Sequence, residues 1–110
     1  MKRFHNEVLL GYNGKPVSLP IQNKKEDYEF KTTDLFWLLG NSAPYKTLND
    51  SAQGMRLAKA LEAAADKDVI EIEDAVHDWL KGVAKELCPP IFKQNGVILY
   101  DYISEKYIKD

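Results

Sequence analysis

Residues 69–90, VIEIEDAVHDWLKGVAKELCPP, carry the strongest structural signal in the chain. Val69, Ile70 and Ile72 predict a short extended segment. The apolar residues after it recur every three or four positions, as they do along one buried face of a helix. The two prolines that close the stretch are expected to end the helix, because proline cannot continue the hydrogen-bond ladder. We therefore predict a strand followed by an amphipathic helix of about four turns.

Three further helices are expected around this one. Thr32 or Thr33 would cap a short helix, DLFWLL, and Gly40 would stop it, since these residue types are common at those positions. Asn49 or Asp50 would cap the next helix, which has leucines at helical spacing. The expected limits are about Ala65 for the end of that helix, and about Gln94 to Lys106 for the last one.

The N-terminal twenty residues predict a β-hairpin. Apolar residues within 8–12 and 17–21 flank Asn13-Gly14, the strongest short-range hairpin signal, because both residues accept the positive φ of a type I′ turn. Pro16 and Pro20 cannot donate to a ladder, so the second strand is expected to lie at a sheet edge or to have its proline nitrogens facing outward.

Together these elements predict a single domain, residues 1–110, of the α+β class. The N-terminal β-hairpin would pack on three to four α-helices, with helix predominating. Residues 22–31 would be a loop, or a loop followed by a short third strand at Tyr28–Lys31. The last two helices are expected to form an antiparallel pair around Pro89 and Pro90. At 110 residues the chain has room for one hydrophobic core and not for two.

The composition is that of an ordinary folded domain, with 45% hydrophobic and 29% charged residues and a formal net charge of −2. Proteins that bind phosphate backbones usually carry a basic surplus, since each phosphate contact requires a cation. Nucleic acid is therefore not the favoured partner. The single cysteine, Cys88, fits a reducing compartment. The chain has neither a signal-peptide core nor a run of about 18 apolar residues, so we expect a cytoplasmic protein without membrane contact.

The short helix contains more apolar residues than one buried face can hold. Phe36 and Trp37, with Tyr45 on the following loop, could form a patch that binds a partner, because exposed aromatic residues are enriched at such surfaces. The alternative is a helix wrapped between hairpin and bundle and buried on nearly all sides. In the first case these three residues are the partner-binding site.

Candidate chemical groups are few. Asp74, His77 and Asp78 lie on one side of the predicted helix at a spacing that can hold a divalent cation, but such sites need a second motif, which the sequence does not offer. His5 or His77 could meet Cys88 only through the fold, and no nucleophile elbow is present. We expect no catalytic residue, no metal and no cofactor.

A nucleic-acid-associated regulator is the second interpretation. It requires cations gathered on one side of the protein and binding that weakens steeply with salt. Lysines at a hairpin edge also protect against edge-to-edge pairing, and acidic residues follow them directly here. The cations available for such a cluster are Lys15, Lys24, Lys25, Lys31 and Arg56.

The order of elements resembles that of a group of small phage and prophage proteins. Those proteins share xDGxP, then TLxDLLxxAL, LAxK(I/L), VELxxEDxxxIKxLV and a short leucine-rich helix. The matching segments here are GYNGKPV, TTDLFWLLGN, MRLAKALEAA, DVIEIEDAV and PPIFKQNGVILYDYI, within residues 8–103. The closest is IEIEDAV, which ends at Val76. An insertion around residues 41–50 and the indole of Trp79 depart from the pattern. The resemblance implies a phage or prophage origin and transfers no catalytic residue.

From these observations we expect a non-enzymatic protein that acts through protein–protein interaction, as an assembly factor or as a modulator of a host protein. Its partner would be a host or phage protein in the host cytoplasm. Contacts would come from an exposed sheet edge or from the region of Phe36 and Trp37. A metal-assisted enzyme and a self-assembling subunit remain further alternatives, and the oligomeric state is open.

Overall fold

Two short strands and four α-helices form the regular structure of residues 1–17 and 29–109, the parts of the chain that the computed structural model describes. The expected class is confirmed, since the protein is mostly helical with a small antiparallel sheet. A 3₁₀ turn, Lys93–Asn95, joins the last two helices. In chain order the elements are β1 (Lys2–His5), α1 (Thr32–Ser42), α2 (Leu48–Ala63), β2 (Val69–Ile72), α3 (Asp74–Phe92) and α4 (Gly96–Glu105).

The sheet pairs β1 with β2, two segments far apart in sequence. Phe4 lies opposite Ile70, and Lys2 lies opposite Ile72. Phe4, Ile70 and Ile72 are buried and belong to the core that the helices cover. β2 is the extended segment that the sequence predicts, whereas β1 was not predicted.

The predicted hairpin turn is present, with a different geometry. Leu10 bridges Pro16, and the Val17 N–H donates to the Leu9 carbonyl, so the chain does reverse around Asn13. Gly14 has φ +76°, but the φ of Asn13 is not positive, so the turn is not type I′. A type I turn followed by a left-handed glycine reverses the chain instead. The rest of the second predicted strand, including Pro20, and Tyr28 of the possible third strand lie outside the described residues.

Both ends of α1 differ from the prediction. Its N-cap is Lys31, so Thr32 is already helical, and the Thr33 N–H donates to Asn6 Oδ1 at 3.3 Å. Gly40 does not stop the helix, which continues for two residues. It is needed for packing, because a Cβ at Gly40 would lie 3.2 Å from the Leu57 side chain on α2. The N-terminal segment and α2 therefore determine where α1 lies.

The cap of α2 is Thr47, earlier than the predicted Asn49 or Asp50. Thr47 Oγ1 accepts the Asp50 N–H at 3.1 Å, and Asp50 Oδ2 accepts the Thr47 N–H at 3.0 Å. This reciprocal pair is a capping box, which satisfies two backbone donors at the helix start. It also fixes the Asp50 carboxylate in one position.

The prediction that the prolines end α3 was wrong. The helix runs through Pro89 and Pro90 to Phe92. Both prolines are exposed, while Cys88 and Phe92 are buried on the inner face. A Cβ at Gly96 would lie 2.9 Å from the Cys88 carbonyl oxygen, so α4 can approach the last turn of α3 only because residue 96 is glycine. Packing against α4 outweighs the helix-breaking tendency of proline.

Candidate functional site

Phe36, one of the three predicted patch residues, is a core residue. Its side chain is fully buried, and its ring meets that of Phe4 edge-on, with centroids 5.1 Å apart. It cannot contact a partner in this conformation. The prediction that Phe36 belongs to a binding surface is therefore corrected, because the N-terminal strand covers this face of α1.

Trp37 and Tyr45 do lie together. Both line a small crevice between α1 and α2, and Trp37 is half-buried while Tyr45 is 46% exposed. The Tyr45 hydroxyl donates to the Gly40 carbonyl. A Cβ at Gly54 would overlap the Tyr45 ring, so the glycine leaves the space that the ring occupies. Tyr45 is thus held in place from two helices.

Trp79 on α3 adds a third aromatic side chain that the sequence did not assign to the patch. Its ring lies 5.9 Å from the Tyr45 ring, centroid to centroid, and its indole N–H donates to Asp50 Oδ1 at 3.0 Å. The signal for it was the helical periodicity of α3, which allows only one of Trp79 and Leu80 to point inward. Leu80 is fully buried and Trp79 lies half-exposed at the edge. We call Trp37, Tyr45 and Trp79 the aromatic patch.

Asp50 connects the patch to the backbone. Besides Trp79, its carboxylate accepts the N–H groups of Lys46 and Thr47, each at 3.0 Å. The hydrogen bond from the Lys46 N–H, followed by those from Trp79 and Thr47, lowers the pKa of Asp50 below its ordinary value. The pKa of Tyr45 is raised, mainly by burial and also by the charge of Asp50. At neutral pH the pair is therefore a carboxylate beside a protonated phenol.

A cleft of about 330 Å³ opens beside Trp79. Its apolar lining is provided by Pro44, Trp79 and Val83. Three carboxylates and one ammonium group surround it, from Asp50, Asp78, Glu86 and Lys46. The cleft therefore combines an aromatic surface with a net negative rim, which suits a side chain that is both apolar and cationic.

The candidate metal ligands are not brought together. His77 is buried, and its Nε2 lies 2.7 Å from the Ile103 carbonyl, so this nitrogen carries the proton and donates. Asp74 and Asp78 remain exposed, and Asp78 pairs with Lys81 at 3.5 Å. In residues 1–17 and 29–109, no three His, Cys, Asp or Glu side chains form a group that could hold a metal.

Cys88 lies in the core. Burial raises the pKa of its thiol to about 11, so at neutral pH it is protonated and not a nucleophile. Tyr102 also has a raised pKa, because its hydroxyl is largely buried; it bonds to Thr32 Oγ1 at 2.8 Å and to Glu7 at 3.0 Å. These bonds hold α4 against the N-terminal segment and are structural.

The predicted basic cluster is only partly within the described structure. Lys15 lies in the exposed turn, Lys31 caps α1, and Lys24 and Lys25 lie outside the described residues. Arg56 lies elsewhere, in a groove of about 430 Å³ between α2 and β2. The charged residues that line this groove are Arg56, Lys59, Lys67, Glu71 and Glu73.

Comparison with protein-family models, with curated proteins and with solved structures found no match for this chain. Among the described residues, no helix combines the length and apolar character that a membrane crossing requires.

Proposed function

We propose that this chain is a non-enzymatic protein–protein interaction module that contacts its partner through the aromatic patch. The observation that carries the proposal is the pair of Tyr45 and Trp79, two partly exposed aromatic rings in contact, each anchored by a hydrogen bond. Anchored rings lose little conformational freedom on binding, so their burial contributes most of its free energy to affinity. Tyrosine and tryptophan are also the residues most enriched among binding hot spots.

The cleft beside Trp79 indicates the kind of side chain that the partner supplies. Its rim has an excess of carboxylates, and the indole face offers a surface for a cation. An arginine or lysine of the partner could lay its apolar stem on Trp79 and place its charge near Asp50 or Glu86. The partner surface is therefore expected to be apolar with a basic residue at its centre.

The resemblance to small phage and prophage proteins supports a role in phage assembly or in the handling of a host protein. The partner would then be a phage or host protein in the host cytoplasm. A nucleic-acid-associated regulator is the alternative. The cations of Arg56, Lys59 and Lys67 favour it, but Glu71 and Glu73 line the same groove and leave it an excess of one positive charge, which is too small for a site that follows a phosphate backbone.

The test is affinity purification of the tagged chain from host cells, using variants. Tyr45→Ala removes the exposed ring, and Tyr12→Ala is the matched control, since Tyr12 is an exposed tyrosine (68%) in the N-terminal turn. The wild type and Tyr12→Ala should retain the partner to the same extent. Tyr45→Ala should lower the affinity for the partner about tenfold, the loss expected for one hot-spot residue, and should retain correspondingly less of it. Thermal unfolding of each variant confirms that it is folded.

A photo-crosslinking amino acid at position 45 or at position 12 gives an independent readout. Crosslinks to one protein from position 45 alone support the proposal. Equal retention by both tyrosine variants would contradict it. Retention that nuclease treatment abolishes would favour the regulator instead.

A further inference from the structure

The two edges of the small sheet differ in how their backbone groups are used. The Asn6 N–H donates to the Asp68 carbonyl at 2.8 Å, so every second residue pair along the ladder is hydrogen-bonded. Ile70 and Ile72 consequently direct their N–H and C=O groups toward β1. Val69 and Glu71 direct theirs away from β1, toward the outer edge of β2.

The outer edge of β1 is covered. The Ile108 N–H donates to the Arg3 carbonyl at 2.7 Å, and the hydroxyls of Thr32 and Tyr102 both donate to the His5 carbonyl. The C-terminal tail, α1 and α4 therefore satisfy this edge. No further strand can be added there without displacing them.

The outer edge of β2 differs from that of β1. Among residues 1–17 and 29–109, no hydrogen bond reaches the outward N–H or C=O groups of Val69 or Glu71. The groove of about 430 Å³ lies directly along these residues, and its other wall is formed by Ala60 and Ala63 of α2 and by Ala64, the residue after that helix. Small alanine side chains leave space between the helix and the strand. Within the described residues, the groove therefore gives access to this edge along Val69 and Glu71 of β2, a strand about 13 Å long.

The charges of the groove are divided between its two sides. Arg56, Lys59 and Lys67 belong to α2 and the turn after it, whereas Glu71 and Glu73 belong to β2 and the residue after it. Arg56, Lys59 and Lys67 form no ion pair with another described residue. The α2 side would attract carboxylates.

We infer that the outer edge of β2 binds an extended, acidic segment of a partner protein by strand addition. The segment pairs with the N–H and C=O groups of Val69 and Glu71 and extends the sheet to three strands. Its acidic side chains meet Arg56, Lys59 and Lys67 on α2. This site is separate from the aromatic patch, so an experiment can disprove one of the two proposals without affecting the other.

The probe is a fluorescent peptide of about eight residues that alternates valine and glutamate, a pattern that favours an extended strand. Fluorescence anisotropy measures its binding to the full chain. We expect binding about tenfold tighter than that of the same peptide with lysine in place of glutamate, since two or three ion pairs at a partly exposed site differ by roughly that factor. N-methylation of alternate amides should abolish binding, because it removes the backbone donors.

Two pairs of variants separate the backbone from the charges. Glu71→Pro removes the outward N–H without affecting the ladder to β1, and Glu71→Gln keeps that N–H while removing the same charge. Binding should be lost in Glu71→Pro and kept in Glu71→Gln. The double variant Arg56→Glu, Lys59→Glu should reverse the preference toward the lysine peptide, whereas the control Lys85→Glu, at an exposed position outside the groove, should not.

Tyr45→Ala should bind the acidic peptide as the wild type does, which distinguishes this proposal from the previous one. Equal affinity for both peptides, or binding that tolerates N-methylation, would overturn strand addition. Tighter binding of a single-stranded oligonucleotide than of the acidic peptide, sensitive to the Arg56 and Lys59 substitutions, would show that the groove binds nucleic acid. A dimer in sedimentation that Glu71→Pro dissociates would show that a second copy occupies the edge.

Discussion

Among the described residues, one group of contacting aromatic rings surrounds Phe4 in the core, and another lies at the surface. In the core group, Phe4 contacts Phe36, His77 and Tyr107, with ring centroids 5.1 to 6.4 Å apart. In the surface group, Tyr45 contacts Trp79 at 5.9 Å, and Asp50 accepts the indole N–H. The centroid distances are similar, but Phe4 is fully buried whereas Tyr45 is nearly half exposed.

This difference indicates what each group contributes. Rings buried on all sides stabilise the fold, because removing one leaves a cavity. Rings at the surface contribute less to stability, yet they offer apolar area that a partner can still bury. The hydrogen bonds follow the same division: that of His77 satisfies the end of a helix, while those of Tyr45 and Trp79 hold exposed rings in fixed positions.

The largest effect is expected for Phe4→Ala. The side chain is fully buried between the sheet and α1, so truncation should lower the free energy of unfolding by about 3–5 kcal/mol. Urea denaturation measures the change. Tyr45→Ala is the comparison, and it should cost about 1 kcal/mol, since the lost ring is partly exposed and one hydrogen bond is removed. Similar losses for the two variants would refute the division between core and surface groups.

His77→Phe should lower the free energy of unfolding by a smaller amount. This substitution keeps a ring in place but removes the donor to the Ile103 carbonyl. That carbonyl lies in the last turn of α4, where helix carbonyls have no partner within the helix. Leaving it buried and unpaired should cost about 1–3 kcal/mol. Tyr107→Phe, a control that keeps its ring against Phe4 and His77, should change stability by less than about 0.5 kcal/mol. A neutral His77→Phe would mean that water satisfies the carbonyl.

The parts of this fold that the sequence predicted are those encoded locally. The extended segment at Val69–Ile72, the helix after it and the turn at Asn13-Gly14 each depend on periodicity or turn chemistry within a few residues. The pairing of β1 with β2 could not be predicted in this way. It joins two four-residue strands from opposite ends of a long loop-and-helix segment, and neither strand shows which partner it will find.

The course of α3 and the composition of the patch show two different limits. Leu80, Ala84, Cys88 and Phe92 continue the inner face in steps of four, and that spacing outweighs the two prolines. This spacing is visible in the sequence alone, and it continues unbroken through both prolines. The contact of Tyr45 with Trp79 is of another kind, since it depends on where the loop after α1 meets α3. Only the fold brings those residues together.

The smallest effect concerns Asp50 and depends on pH. Its hydrogen bonds lower the pKa of Asp50 in the folded protein below the value of an unfolded aspartate, about 3.9. Folding therefore favours the ionised form, and its contribution to stability is complete above that value and is lost as the pH falls through the lower, folded-state pKa. Asp50→Asn should lower the urea midpoint at pH 6, and the difference from the wild type should shrink as the pH falls below about 4.

Asp66→Asn is the matched control, because the Asp66 carboxylate is exposed and accepts no hydrogen bond within the described residues. Its difference from the wild type should stay small throughout the same titration. Trp79→Phe tests the link to the surface group, because it removes the indole donor to Asp50. In a Trp79→Phe background, the pH-dependent effect of Asp50→Asn on stability should be smaller than in the wild-type background. It should not vanish, because the Lys46 and Thr47 donors remain. If Asp50→Asn instead showed a constant difference down to pH 2, the carboxylate would act through shape alone. The Tyr45–Trp79 pair would then not depend on its charge.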